Sequence, residues 1–207
     1  MKTSTATEVR SSHLRTFRLD GARVALVPDQ AVLLADDRVT VSVRVDAGAS
    51  LEIVEPGGTV AYAMRGRSAR WDVTIEVEDG GSLTWHGEPF VVAEGADVVR
   101  TLTADLGADT VVSLRETLVL GRAGEAPGRL VTTTNVRCAG LPVLVEAMDS
   151  ELGLGGHRVV DQLLHLGLPA CGDGMVLASG GHLHRWVGDE VHLSPVTSTP
   201  RRPGGGA

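Results

Sequence analysis

The chain has 207 residues, is 43% hydrophobic but only 3% aromatic, and carries a net charge of −7. That length suits a single domain whose core is built from Val, Leu, Ala and Ile. The acidic balance argues against a nucleic-acid surface, which needs clustered Lys and Arg, and suits a cationic partner, a metal ion included.

The stretch from Thr5 to Leu19 alternates weakly and predicts one or two edge strands. Val24–Val27 and Ala31–Leu34 are short apolar runs around a turn signal at Pro28–Asp29. Val39, Val41, Val43 and Val45 then share one face at period two, with Arg38, Thr40, Ser42 and Arg44 on the other. This strand opens a strand–Gly–strand unit from Val41 to Pro56, which returns from Val73 to Pro89 and, more loosely, from Arg100 through Gly107 to Glu116. Such units bury a face only by stacking on their neighbours, so the repeat predicts an all-β, solenoid-like stack.

A basic loop separates Tyr62 from Arg70, and Phe90–Ala93 is a brief buried strand. Val111–Leu120 and Leu130–Arg137 are strand candidates rich in β-branched residues. Leu141–Met148 fits strand or helix. Val159–Leu164 has helical spacing over too short a run for periodicity to decide. A helix is expected around Leu183–Val187. Residues 1–195 form the expected domain, with one or two short helices near its C-terminal end, and 196–207 read as a disordered tail.

Residues 1–19 lack the apolar run of a signal peptide, and no stretch reaches the ~18 apolar residues of a membrane span. Two cysteines, Cys138 and Cys171, are too few for a disulfide framework. Neither has the tuned surroundings of a reactive thiol, and a reducing cytoplasm is the expected compartment. The glycines form no phosphate-binding motif, and Gly80–Ser82 is a solenoid corner. No nucleophile elbow or zinc-protease motif is present, and no acid/base pair stands out above chance. His182 and His184 would share one face of a strand and suit a metal pair, whereas on a helix they would point ~200° apart. Carboxylates flank the apolar strands at Asp36, Asp37, Glu88, Glu94, Asp97, Glu116 and Glu125. Partly buried, they require an Arg or a cation; Arg100, Arg115 and Arg122 are available.

Three segments resemble the urease accessory proteins of the UreD/UreH type. They are Ala35–Val41 with Gly48–Leu51 and Thr59–Tyr62; Leu83–Pro89 with Phe90–Asp97; and Arg115-Glu116-Thr117-Leu118-Val119-Leu120-Gly121-Arg122-Ala123-Gly124-Glu125. Gly156–Val160 and Gly181–Gly188 are weaker echoes, and the likeness spans about residues 5–195. Ala35-Asp36-Asp37 stands where the family usually has Gly-Gly-Asp, and the chain is short for the family.

The resemblance implies a mainly β scaffold, not an enzyme, that binds apo-urease, joins UreF and the GTPase UreG, and helps pass nickel to urease. It also implies strand at Val159–Leu166. No tightly bound cofactor is expected, only nickel in transit, with a homodimer allowed within the accessory complex. The metal-passage candidates are Glu88, Glu116 and Glu125, then Asp36 and Asp37. Arg122 and Arg115 are ion-pair partners that orient these acids, and His182 and His184 are weaker metal candidates. The competing reading is a β-rich protein-binding module with no metal role; a carbohydrate-active β-helix is disfavoured by the scarcity of aromatics.

Overall fold

The computed structural model describes residues 7–28, 33–168, 174–178 and 180–196. Ala31, Val32, Cys171 and the expected tail beyond Val196 lie outside the described residues. The strands are β1 (Thr7–Ser11), β2 (Leu14–Arg18), β3 (Arg23–Pro28), β4 (Arg38–Val45), β5 (Ser50–Val54), β6 (Thr59–Ala61), β7 (Ala69–Val77) and β8 (Ser82–His86). There follow β9 (Phe90–Val92), β10 (Asp97–Leu106), β11 (Val111–Leu120), β12 (Arg129–Cys138) and β13 (Leu141–Asp149). After the short helix α1 (Ser150–Gly153) come β14 (Val159–Leu166), β15 (Met175–Val176), β16 (His182–Gly188) and a 3₁₀ turn at Val191–Leu193.

Two sheets enclose one core. The first runs β1-β4-β7-β10-β12-β13, and the second β15-β16-β14-β11-β8-β5-β3-β2. Its middle strands are parallel, because the chain passes to the other sheet after each one. Val41 pairs with Val73 and Val73 with Leu102 in the first sheet; Leu51 pairs with Leu83 and Leu83 with Val112 in the second. Each coil therefore takes roughly 30 residues, and the stacked, solenoid-like all-β architecture read from the repeat is the architecture observed.

The corners stack as well. Gly48 donates to the Asp79 carbonyl (3.1 Å) and Gly80 to that of Ala108 (2.9 Å). Both glycines have left-handed backbone, at φ 65° and 67°, where a side chain would be strained. In the third corner it is Asp109, not Gly107, that takes this conformation (φ 54°), which Asp tolerates better than most residues.

The inner faces are almost wholly aliphatic: Val39, Val41, Val43, Val45, Ile75 and Val98 are at most 1% exposed. β14 is buried at all eight positions. A strand covered on both faces loses its alternation, which is why its apolar run has helical spacing in the sequence. The helix expected around Leu183–Val187 is instead β16, antiparallel to β14 with Leu164 opposite Leu183 and Gln162 opposite Arg185. Leu183, Arg185 and Val187 share one face of β16, on which Leu183 is buried and the other two lie towards the open groove, and the charge of Arg185 masks the period of two.

Candidate functional site

The second sheet is split along part of its width. β5 ends before Glu55-Pro56-Gly57-Gly58, and β8 before Gly87-Glu88-Pro89, so β6 and β9 resume only after a break. Proline cannot donate to a ladder, and Gly58 lies so close that a methyl group would meet the Pro89 carbonyl oxygen. β11 crosses the break without interruption, pairing with β8 below and β9 above. Under the break lies a cavity of about 40 Å³ walled by Glu55, Glu88, Arg100, Arg115 and Glu116 among others.

Two smaller voids, of about 10 and 20 Å³, continue inward between the sheets. Glu116 walls all three, and Thr134 walls both of the smaller ones. A wider groove of about 680 Å³ follows at the far end, sharing Thr132 and Gln162 with them. The voids thus form a row from the break at Glu88 to the groove beside α1.

A polar belt follows this row through the apolar interior. Arg100 Nη2 lies 2.9 Å from Glu116 Oε1, with the two side chains 14% and 19% exposed. Gln162 Nε2 donates to Glu116 Oε2 (2.9 Å), Arg185 Nε donates to Gln162 Oε1 (2.9 Å), and Arg185 Nη2 reaches Glu146 Oε1 (2.5 Å). The register explains the alignment, since Glu116, Gln162 and Arg185 are direct neighbours across β11, β14 and β16.

Glu55 completes the wall under the break. Its carboxylate accepts from Trp85 Nε1 (2.7 Å) and from the Glu88 amide (3.1 Å). Burial pushes its pKa up, against the downward pull of those donors and of Arg100. Trp71, 5% exposed and on the same wall, has an indole N–H with no partner among the described residues. A buried donor of this kind requires an acceptor such as water.

The sequence candidates divide sharply. Glu88 is exposed at the mouth and Glu116 sits at the centre of the row. Asp36, Asp37 and Glu125 line none of these voids. Asp36 pairs with Arg67 on the surface, and Asp37 Oδ2 accepts from the Leu34 amide at 2.7 Å. Glu125 closes its own loop by accepting from Arg122 Nε (2.7 Å) and the Arg122 amide (3.0 Å). The Arg122 guanidinium and those backbone donors hold the Glu125 carboxyl down at about 2. Arg158 braces the same loop by donating to the carbonyls of Leu120, Arg122 and Glu125. Arg115 pairs not with a sequence candidate but with Asp161, through Nε (3.1 Å) and Nη2 (2.8 Å).

His182 and His184 share one face of β16, with His165 directly opposite His182 on β14. The His165 and His184 rings lie 6.2 Å apart, edge to face. Among the described residues no three His, Cys, Asp or Glu side chains are placed to hold a metal ion. The cluster has a consequence for stability instead. Burial, then the neighbouring charges of His184, His86 and His182, depress the His165 pKa below the usual 6.5. The folded state therefore takes up this proton less readily than the unfolded chain, and stability is lost as pH falls below about 6.5. Denaturant midpoints at pH 7.5 and 5.5 are expected to differ, and the difference to shrink in His165→Gln; an equally steep loss in the variant would assign it to other groups.

Sequence reasoning missed Glu55, Thr132, Thr134, Glu146, Gln162 and Arg185, and used Arg100 only as a spare cation. The signal was present: each of Arg100, Glu116, Thr134 and Gln162 occupies the parity that its strand otherwise gives to apolar residues, as in Val98-x-Arg100-x-Leu102 and Leu114-x-Glu116-x-Leu118.

No described helix is long and apolar enough to cross a membrane. Comparison with known proteins matches residues 11–191 to the family of UreD urease accessory proteins. The chain is 44% identical over 156 residues to urease accessory protein UreD 1 of Streptomyces griseus, covering 72% of this chain and 61% of the relative. It is 36% identical over 166 residues to UreD 2 of Saccharopolyspora erythraea, covering 73% of this chain and 58% of the relative. A third relative, UreD 3 of Streptomyces griseus, is 33% identical over 188 residues, covering 84% and 70%. The match to the first two thus spans about three fifths of their own length. With the family pattern running over nearly all of the described chain, this protein belongs to the UreD family of urease accessory proteins.

Proposed function

We propose that this chain is a non-enzymatic factor of urease maturation that passes nickel along the row of voids between its sheets. The observation that carries this reading is Glu116, an inward-facing carboxylate common to the walls of three water-sized voids. Voids of 40, 10 and 20 Å³ accommodate single waters or a few, not an ion with its full hydration shell. An ion in transit exchanges waters for protein oxygens one step at a time. Nickel accepts carboxylate and water ligands, and a site with few protein ligands releases it again. Glu88 receives the ion at the mouth, Glu116 holds it in the interior, and the Thr132 and Thr134 hydroxyls line the way to the groove. Asp36, Asp37 and Glu125 keep structural roles in this scheme.

The scaffold part of the role falls to the surface. Leu152 is 87% exposed on the wall of the wide groove, and Val145 (67%) and Leu141 (64%) are exposed along the edge strand β13. Apolar residues at a sheet edge suit a partner chain; UreF, the GTPase UreG and apo-urease are the partners in this reading, and the cytoplasm its compartment.

The test replaces Glu88 and Glu116 singly with Gln and measures urease activation in cells. Glu116→Gln is expected to lower activation at least about tenfold, since it removes the charge that compensates an unsolvated cation, and Glu88→Gln less, because Glu88 is exposed. Full activation by both variants at normal protein levels sinks the passage. The reading as a binding module alone is separated by direct nickel titration of the protein.

A further inference from the structure

Resting on the passage reading above, we propose that Arg100 is a resident cation that closes the passage at Glu116, so that only a cargo able to displace it enters. Arg100 lies on the inner face of β10, between Val98 and Leu102, where its strand is otherwise apolar. It walls both the cavity under the break and the first small void, and so stands between the two. Its guanidinium occupies the Glu116 Oε1 atom at 2.9 Å, one of the two oxygens that an ion in the row would need.

Three observations make this more than a structural ion pair. First, the Arg100 charge is permanent. A guanidinium keeps its proton at any physiological pH, so it leaves Glu116 only by moving. Second, its cationic head already lies over an aromatic face. Arg100 Cζ is 4.7 Å from the centroid of the Phe90 ring, a contact that continues to stabilise the cation when an incoming ion takes its carboxylate oxygen. Third, Glu116 stays oriented without it, because Gln162 Nε2 holds Oε2 from the opposite side. The carboxylate is thus presented to whatever replaces the guanidinium.

The charged groups around Arg100 are Glu55 and Glu88 at the break, Arg115 beside it and Glu116 opposite. None of these carboxylates other than Glu116 pairs directly with Arg100 among the described ion pairs. The competition is therefore for one oxygen. A monovalent ion offers Glu116 no more charge than Arg100 already does, whereas a divalent ion offers twice as much. Arg100 in this role is a positioning and selectivity residue: it sets a threshold that favours divalent cargo over sodium and potassium.

The experiment titrates nickel into the full chain and into Arg100→Met, Arg100→Lys and Glu116→Gln. Met retains the stem that packs against Phe90 but not the charge, and is expected to raise nickel affinity by about tenfold or more, since a unit charge within a few ångströms of the ion is removed. Lys keeps the charge and is expected to stay within about threefold of the parent. The gain counts only in a variant whose circular dichroism and thermal midpoint match the parent, because an unfolded chain exposes histidines that also bind nickel. Unchanged or weaker binding by Arg100→Met, with Glu116→Gln still reducing it, overturns the proposal and leaves the passage standing. No change in any variant overturns both. Should Arg100→Met fail to fold, Glu116→Asp serves: its shorter side chain withdraws from the guanidinium but keeps a carboxylate in the void, and the same gain is expected, with its absence overturning the proposal.

Discussion

Replacing Asp161 with Ala is expected to lower the thermal midpoint by about 6–12 °C, the equivalent of about 3 kcal/mol in a chain of this size. Asp161 is completely buried and gathers four donors: Arg115 Nε and Nη2, Thr117 Oγ1 at 3.0 Å and Ser194 Oγ at 2.6 Å. Removing the carboxylate strands the Arg115 charge beside a buried strand and frees two hydroxyls. Arg115 retains 22% exposure, so water compensates part of its charge and the loss falls at the lower end of that for a broken buried pair. Ser194 lies just beyond the 3₁₀ turn, and Val196 packs next to it at 8% exposure. The hydrogen bond from Ser194 therefore ties the C-terminal segment to the outer face of β14, and the variant is expected to expose this segment to limited proteolysis before the solenoid itself unfolds. Circular dichroism melts of the two proteins check the midpoint; a shift below about 2 °C would mean that the carboxylate is dispensable to the fold.

Much of the scaffold was legible because the inner face obeys a simple rule. Val39, Val41, Val43 and Val45 alternate with polar residues and are buried at each alternate position, as β4 shows along its whole length. Wherever one face met solvent, period two survived and the strands could be read. It failed where geometry removed the contrast. β14 is buried at every position, so no alternation marks it, and its apolar residues, Val159 with Leu163 and Val160 with Leu164, fall at helical spacing. β16 carries Arg185 on the same face as Leu183, where it bonds Gln162 and Glu146, and that single charge concealed a strand.

The candidate site was legible only in part, for a related reason. Glu88 and Glu116 stood out beside proline and within the Arg-Glu-Thr-Leu segment. Their spatial partners come from other coils and other strands: Arg100 from β10, Gln162 from β14, Thr132 and Thr134 from β12. Sequence proximity misled where it suggested function for Glu125, which bonds its own neighbour Arg122 three residues away, a local pair that closes a loop. Asp36 and Asp37 likewise serve the turn before β4. The residues that matter to the row are those that break an apolar alternation from within, a pattern visible in each strand but meaningful only once the two sheets are laid face to face.

That belt poses an energetic question. A buried ion pair such as Arg100–Glu116 adds little to stability over a well-packed apolar pair, because desolvation of both charges offsets their attraction. In the proposed passage, its presence between two aliphatic sheets follows from the need for an inward carboxylate beside the voids. The most direct test leaves every charge in place and removes the space together with one lining hydroxyl. Thr134, 6% exposed, walls both small voids, and Thr134→Leu fills them at a cost to the fold of about 1–3 kcal/mol. The nickel content of urease matured in cells bearing this variant is measured alongside the level of the accessory protein and its association with apo-urease. With level and association intact, nickel content is expected to fall at least about tenfold, since an obstructed lumen no longer conducts. Nickel content equal to the parent, in a variant that is folded and bound, would contradict a passage between the sheets.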